Sequence, residues 1–171
     1  MKKIIFSFLL LCSAAFLNAQ TDSSSVNSKS STIQIGAHTI TAKTTVEQLI
    51  KALGTPSRIE KIAGKDRHYI YDALGLAFDC RSGSVEAVTF TFHYDNDKKV
   101  AIDAVKNGLK IDNFTISDAT TTDQIKANTN IKNIMCLGEL MCMSDPSQPG
   151  AALVIGYSKD KKITQISIGL K

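Results

Sequence analysis

The sequence is short of the residues and motifs that most enzymes and nucleic-acid-binding proteins need. It has three histidines, and it contains no H-E-x-x-H, no G-x-S-x-G, no phosphate-binding loop and no dinucleotide-binding glycine pattern. Its charges nearly balance, at 20 Lys and Arg against 16 Asp and Glu, and they form no basic stripe. Nucleic acid is therefore not expected as a partner. We also expect no catalytic activity, no cofactor and no bound metal.

The chain also lacks an apolar run long enough to cross a membrane, but a shorter one stands at its N-terminus. Two lysines at positions 2 and 3 precede an apolar segment from Ile4 to Leu17, and Ala19 is a suitable residue for cleavage. A membrane span needs about 20 apolar residues, so this arrangement predicts a signal peptide over residues 1–19. We predict a periplasmic or secreted protein with no stable membrane insertion after cleavage. Residues 20–32 are serine-rich and poor in apolar residues, which predicts a flexible leader.

What the sequence does contain is an internal repeat. Residues 33–49 recur without a gap as residues 109–125, and six of the seventeen pairs are identical. Such a repeat indicates a duplicated supersecondary unit. We therefore predict an α+β fold of two tandem hairpin–helix–antiparallel meander repeats, over residues 33–95 and 109–171, with a connector over residues 96–108. Units of this size bury little surface alone, so we expect them to share a core or one continuous sheet.

Local patterns define the elements of each repeat. Gly36-Ala37 and, in the second copy, Asp112-Asn113 tolerate the positive φ of a two-residue hairpin turn. Thr45-Val46-Glu47-Gln48 then predicts a capping box at the start of a helix. Strands are predicted over residues 57–62, 67–72, 76–80 and 85–93 in the first copy, and a hairpin over 131–143 with strands over 151–157 and 165–170 in the second.

These features resemble a known group of bacterial domains. The segment from Thr45 to Pro56 follows the pattern T-x-x-Q-L-x-x-x-L-G-x-P, and the strand from Tyr69 to Asp72 continues into a turn at Gly75. The combination resembles the SmpA/OmlA-type outer-membrane lipoproteins, and its tandem use resembles the β-lactamase inhibitor protein and its secreted relatives. The resemblance implies protein binding through a sheet face or loops, without catalysis.

One strand of the first repeat supplies candidate binding residues. If Ile70 packs under the helix, the alternate side chains of its strand lie on an open face beside those of the strand over residues 85–93. Tyr and Arg are enriched at binding hot spots. The predicted binding residues are Arg67, Tyr69, Tyr71, Thr89, Thr91 and His93. Two alternatives remain: that the tyrosines form the buried face, and that the threonines form an ordinary solvated sheet surface.

The second repeat has a stretch of sulfur-containing residues: Met135, Cys136, Met141, Cys142 and Met143. Three interpretations compete. Cys136 and Cys142 form a disulfide across a hairpin, as an oxidising compartment permits; the residues fill the core; or thiolates and thioethers bind Cu(I).

The remaining cysteine of the mature chain is Cys80, which would need a nearby histidine to act as a nucleophile. His68 and His93 lie on strands of the same meander, but no nucleophile signature surrounds Cys80. The sequence therefore favours a non-catalytic binding protein whose partner is another protein or a cell-envelope component. The alternative is a thiol-based redox or soft-metal-binding protein centred on the sulfur-rich stretch.

Overall fold

The computed structural model describes residues 24–106 and 108–171, so the predicted signal peptide over residues 1–19 lies outside the described residues. Within these ranges the chain forms strands and two short helices. In chain order they are β1 (Ser24–Asn27), β2 (Thr32–Ile35), β3 (His38–Ile40), α1 (Val46–Leu53), β4 (Arg58–Lys61), β5 (Arg67–Tyr71), β6 (Leu76–Arg81), β7 (Ser84–Thr91), β8 (Leu109–Ile111), β9 (Phe114–Ile116), α2 (Thr122–Asn128), β10 (Ile134–Leu137), β11 (Met141–Ser144), β12 (Ala152–Tyr157) and β13 (Ile163–Gly169). A 3₁₀ turn over Asp72–Leu74 links β5 to β6.

The strands form two sheets. The smaller sheet has the order β3-β2-β1-β8-β9, and the larger has the order β10-β11-β12-β13-β7-β6-β5-β4. In the smaller sheet β1 runs parallel to β8, whereas every pairing in the larger sheet is antiparallel. Each sheet contains strands from both halves of the chain, because β1 pairs with β8 and β7 pairs with β13.

The predicted fold class is wrong. Of the described residues, 42% lie in strands and 12% are helical, so the protein is mostly β with two sheets, and not an α+β arrangement of helix-containing repeats. The helices are eight and seven residues long, and each buries one side chain completely, Leu49 in α1 and Ile125 in α2. The sequence patterns correctly predicted where the helices start. They overstated the share of the fold that such short helices form.

The local signals behind the repeat are present in the structure. Thr45 and Gln48 form a capping box at α1, and Thr121 and Gln124 form the same box at α2. Gly36, Asp112 and Asn113 have positive φ in the two hairpin turns, as predicted, whereas Ala37 does not. Each box satisfies orphan N–H groups of a helix start through a threonine hydroxyl, so the repeated threonines and glutamines are explained by local structure.

The predicted flexible leader is not wholly flexible, because residues 24–27 form β1. Val26 is buried in the core, and β1 lies between β2 and β8 with a paired neighbour on each side. Hydrophobic patterning does not indicate this strand, because Val26 is its one apolar residue. Its order comes from backbone pairing on both edges, which composition does not report.

One core joins the two sheets and both helices. The larger sheet contributes residues such as Phe78, Phe90 and Ile166, and the smaller sheet contributes Ile33 and Ile111, all of them inaccessible to solvent. This packing fixes the faces of the larger sheet: one face lies against the core, and we call the opposite face the outer face.

Candidate functional site

The strand register determines which predicted binding residues share a face. Tyr69 pairs with Phe78, and Tyr71 pairs with Leu76, so both tyrosines lie on the core face of the larger sheet. Tyr71 is buried, its ring meets Phe78 edge-on with 5.6 Å between centroids, and its hydroxyl donates to the carbonyl of Gly54 over 3.1 Å. Burial raises the pKa of Tyr71 to about 12. The alternative in which the tyrosines form the buried face is therefore the one found.

The other four predicted residues are spread over different places. Thr89 and Thr91 lie on the outer face, where the Thr89 and Ser167 hydroxyls are 2.7 Å apart. The guanidinium of Arg67 donates to the carbonyls of Gly64 and Asp66 in the preceding turn. His93 lies beyond the end of β7, and its Nε2 is 3.0 Å from the Asp118 carboxylate. The six residues therefore do not form one surface.

His93 belongs to a small exposed ion cluster. The Asp118 carboxylate contacts His93, and it also lies 3.3 Å from Nζ of Lys162. The hydrogen bond from His93, followed by that from Lys162, holds the pKa of Asp118 below its ordinary value. Exposed ion pairs of this kind contribute little to stability. We therefore interpret the cluster as an ordinary solvated contact between loops.

The structure does not bring Cys80 together with a histidine. Cys80 faces the core, whereas His68, whose Nδ1 contacts the Asp79 carboxylate, lies on the outer face of the adjacent strand. Burial, and to a smaller extent the charge of Asp79, raises the pKa of the Cys80 thiol to about 12. A thiol with so high a pKa is protonated at neutral pH and is a poor nucleophile.

The disulfide between Cys136 and Cys142, one of the three interpretations of the sulfur-rich stretch, is present and joins β10 to β11. The two residues are direct cross-strand partners, and their flanking pairs are Met135 with Met143 and Leu137 with Met141. Strand alternation places these flanking side chains on the face opposite the cysteines, which is the outer face. The disulfide therefore ties together a hairpin whose other face carries large apolar side chains.

Those apolar side chains are strongly exposed. Leu137 is 57% exposed, Met135 59%, Leu140 52% and Met141 38%. We call Met135, Leu137, Leu140 and Met141 the apolar edge patch, because β10 is one of the two edge strands of the larger sheet. Contiguous exposed apolar groups mark interaction sites more often than scattered ones do. The sequence contained this signal, but without the register it could not show that the alternate residues of the stretch share one exposed face.

A shallow pocket of 230 Å³ adjoins the apolar edge patch on the outer face. Leu140 and Met141 form one wall of it. Gly156 leaves room in its floor, because a Cβ there would lie 2.9 Å from Cγ of Gln165. The other lining residues are Asp95, Val154, Tyr157, Thr164, Gln165 and Ser167.

The connector covers the opposite end of the outer face. Ala101 packs against Ile70 and Ala77 there. The guanidinium of Arg58 donates to the Asp72 carboxylate and to the carbonyls of Lys98 and Val100, and the N–H of Ile102 donates to Asp72. These contacts cover the sheet at β5 and β6, whereas the apolar edge patch lies at the far end, where its side chains are exposed among the described residues.

Two further findings concern the described residues. No helix within the described residues is long and apolar enough to cross a membrane. In the same part of the chain, no three His, Cys, Asp or Glu side chains come together in a group that could hold a metal ion.

Comparison with solved structures finds only distant similarity. An extracellular protein containing an SCP domain from Bacillus anthracis has 16% identity and a TM-score of 0.46, with 77% of this chain and 44% of that chain covered. A DUF4309 family protein from Bacillus subtilis has 10% identity and a TM-score of 0.43, with 75% and 80% covered. A cysteine-rich secretory protein from Staphylococcus aureus has 11% identity and a TM-score of 0.41, with 88% and 51% covered. Similarities at this level support no inference about function.

The present chain thus spans less than half the length of the Bacillus anthracis protein. No curated protein matches the sequence. A family model does match it, over residues 25–126, which run from β1 into α2. This model covers more than half of the chain, and the protein therefore belongs to the family described as domain of unknown function DUF7738.

Proposed function

We propose that this protein is a non-catalytic binding protein of the periplasm or extracellular space, and that its partner is another protein. The observation that carries the proposal is the apolar edge patch, which presents four large exposed side chains on a disulfide-linked edge hairpin. The disulfide and the N-terminal signal pattern support the location, because disulfides persist in oxidising compartments.

A protein partner fits the edge better than a lipid or sugar does. Among the described strands β10 pairs with β11 alone, so within this part of the chain its other side has backbone N–H and C=O groups without a strand neighbour. A polypeptide strand can pair with such groups by adding to the sheet, while its side chains contact the apolar surface beside it. The patch supplies that surface through Met135 and Leu137, which flank Cys136 on β10.

The hairpin is held in place before any partner binds. The disulfide links β10 to β11, β11 pairs with β12, and the N–H of Tyr157 donates to the carbonyl of Leu140 over 2.8 Å. A preorganised surface loses less conformational entropy on binding, so more of the contact energy appears as affinity. The thiol-based alternative has less support, since Cys80 is buried and Cys136 is bonded to Cys142.

The test compares two lysine substitutions at opposite edges of the larger sheet. Leu137→Lys places a charge in the apolar edge patch, whereas Ile59→Lys places one on β4, where Ile59 is 54% exposed. Residues 20–171 with each substitution serve as bait for the envelope and secreted fractions of the source cells. Captured proteins are then purified, and their affinity is measured by titration calorimetry.

We expect a partner that binds the unchanged chain and the Ile59→Lys variant, and that binds Leu137→Lys at least roughly thirtyfold more weakly, as for a hot-spot residue. Circular dichroism must show that both variants are folded. Equal affinity of the two variants for every captured protein, or capture of no protein that depends on Leu137, would contradict the proposal.

A further inference from the structure

The three methionines of the hairpin lie on one face. Met135 is the direct cross-strand partner of Met143, and Met141 precedes Met143 by two residues on the same strand. Residues two apart on a strand, and residues directly opposite on neighbouring strands, point to the same side of a sheet. The register therefore places all three thioethers on the outer face, with the disulfide on the other side.

Their spacing allows the sulfur atoms to meet. Directly opposite Cβ atoms in a sheet are about 4.5–5.5 Å apart, and diagonal neighbours are about 7–8 Å apart. A methionine side chain is unbranched and has three rotatable bonds. Three such side chains at neighbouring register positions can turn their sulfur atoms toward a common point above the hairpin. Met135 and Met141 are also open to solvent, so an ion can reach that point.

The ligand types around the three methionines favour a soft metal ion. Both cysteines of the hairpin are bonded to each other, so the thioethers are its available sulfur ligands. The neighbouring outer-face positions on β10 and β12 are Leu137, Val154 and Gly156, which carry no carboxylate or imidazole. Asp95 lines the adjoining pocket together with Met141, and it is the one carboxylate among the residues of that pocket. Thioethers bind Cu(I), whereas Mg²⁺ and Ca²⁺ require oxygen ligands.

The distribution of methionine along the chain agrees with this arrangement. The sequence has four methionines, and every one other than Met1 lies in this hairpin. Methionine used only as a core filler would be spread over the interior, yet the buried core of the described residues consists mainly of Ile, Leu, Val and Phe and includes no methionine. Met135 and Met141 are instead among the exposed large apolar residues of the described chain.

We propose that Met135, Met141 and Met143 form a binding site for one Cu(I) ion on the outer face of the β10–β11 hairpin. The site is separate from protein binding in its chemistry, although it overlaps the apolar edge patch. Cu(I) binding depends on the sulfur atoms, whereas a partner that contacts the patch depends on its apolar area. Substitution of methionine by leucine removes the first and keeps most of the second, so the failure of either proposal can be distinguished.

The experiment titrates residues 20–171 with Cu(I) under anaerobic conditions, in competition with bicinchoninate, with ascorbate to keep copper reduced. We expect one Cu(I) per chain and X-ray absorption showing sulfur ligands. The triple variant Met135→Leu/Met141→Leu/Met143→Leu should bind no Cu(I) at the site, and Met143→Leu alone should weaken binding by roughly tenfold or more. Unfolding midpoints of the variants show that each is folded.

Two controls make the result specific. Cys80→Ser should leave Cu(I) binding unchanged, since Cys80 is buried on the core side. Leu137→Met adds a thioether at the position opposite Met141, and should keep or increase the affinity. Equal Cu(I) binding by the triple methionine variant, loss of binding on Cys80→Ser, or no stoichiometric binding by the unchanged chain would each overturn the proposal.

Discussion

Cys80 and Cys142 are both buried, yet their chemistry differs because of what lies opposite them. Cys142 faces Cys136 across the β10–β11 pair and is bonded to it. Cys80 faces the core, and its cross-strand partners are Arg67 on β5 and Val85 on β7. Neither neighbouring strand has a second cysteine. Burial therefore leaves Cys80 as a protonated thiol with a pKa of about 12. The structure thus assigns a structural role to each cysteine that it describes.

This difference predicts a specific pattern of thiol labelling. Without reductant, residues 20–171 should show no thiol reactive toward a disulfide reagent at pH 8 in the native state, because Cys80 is buried and protonated. In denaturant one thiol per chain should react, and the Cys80→Ser variant should show none. Rapid labelling of the native protein, or three reactive thiols in denaturant without reduction, would contradict the assignment.

The sequence indicated the disulfide as one of three interpretations and left the face of the tyrosines open, and the difference has a physical reason. Cys136 and Cys142 are close along the chain, so a hairpin alone brings them together. Tyr69 and Tyr71 alternate with His68 and Ile70. A period of two is satisfied equally well whether the tyrosines or the other two residues face the core. The choice depends on Phe78 and Leu76, the cross-strand partners, which only the register reveals.

At the scale of elements, Asp112 connects the β8–β9 turn to the ends of β1 and α2. It lies in the β8–β9 turn, where its carboxylate accepts hydrogen bonds from the N–H and hydroxyl of Ser28, just after β1. It also accepts from the backbone N–H of Asn130 over 2.8 Å and from its side-chain amide over 2.9 Å, just after α2. Burial raises the pKa of Asp112, but these hydrogen bonds outweigh burial and hold the pKa below its ordinary value.

Asp112→Asn tests this link. Asparagine tolerates the φ of 50° at this position, so the change removes acceptor capacity and charge without adding backbone strain. We expect the free energy of unfolding at pH 7 to fall by about 1–3 kcal/mol. Since the folded pKa is depressed, the wild-type contribution is present above the unfolded value of about 3.9 and is lost as pH falls through the folded value.

Urea unfolding of both proteins at several pH values gives the measurement. The difference between wild type and Asp112→Asn should be largest at neutral pH and should shrink at acid pH. Asp160→Asn, an exposed carboxylate in the β12–β13 turn, is the matched control and should change stability little. A difference that does not vary with pH would show that the carboxylate charge is not responsible.

Elements were predictable where their signal is local. The start of each helix is encoded within four residues, by Thr45 with Gln48 and by Thr121 with Gln124. The turn between β8 and β9 is likewise indicated by the pair Asp112-Asn113. Strand β1 is the counterexample, since its partners β2 and β8 are needed to order it. The fold class failed for a related reason: two short helices with clear caps were visible, whereas the sheets that dominate the fold depend on long-range pairing.

At the scale of the whole molecule, the two halves of the chain are interleaved. β1 pairs with β8 in the smaller sheet, and β7 pairs with β13 in the larger one, where Thr89 and Ser167 add a side-chain hydrogen bond. The core also draws on both halves, since Phe90 and Ile166 are cross-strand partners and both are inaccessible to solvent. Neither half therefore contains the complete surroundings of its own buried residues.

This interleaving predicts that the protein unfolds as one cooperative unit and that its halves do not fold alone. A fragment of residues 20–106 keeps β1 to β7, but it loses β8 beside β1 and β13 beside β7, which exposes Val26, Val88 and Phe90. Exposure of that apolar surface removes the main driving force for folding. We expect the full chain to show a single thermal transition, and the fragment to show none and to bind a dye specific for exposed apolar surface.

Co-expression with residues 107–171 provides the control, because the two fragments together can restore both pairings. We expect the co-expressed fragments to form a folded complex with a cooperative transition, which would show that the isolated fragment fails for lack of partner strands and not through damage. A cooperative transition of the fragment 20–106 alone, with a midpoint near that of the full chain, would instead mean that β13 and β8 contribute little. The family match over residues 25–126 would then describe a separate folding unit, and the hairpin carrying the apolar edge patch would be an addition to it.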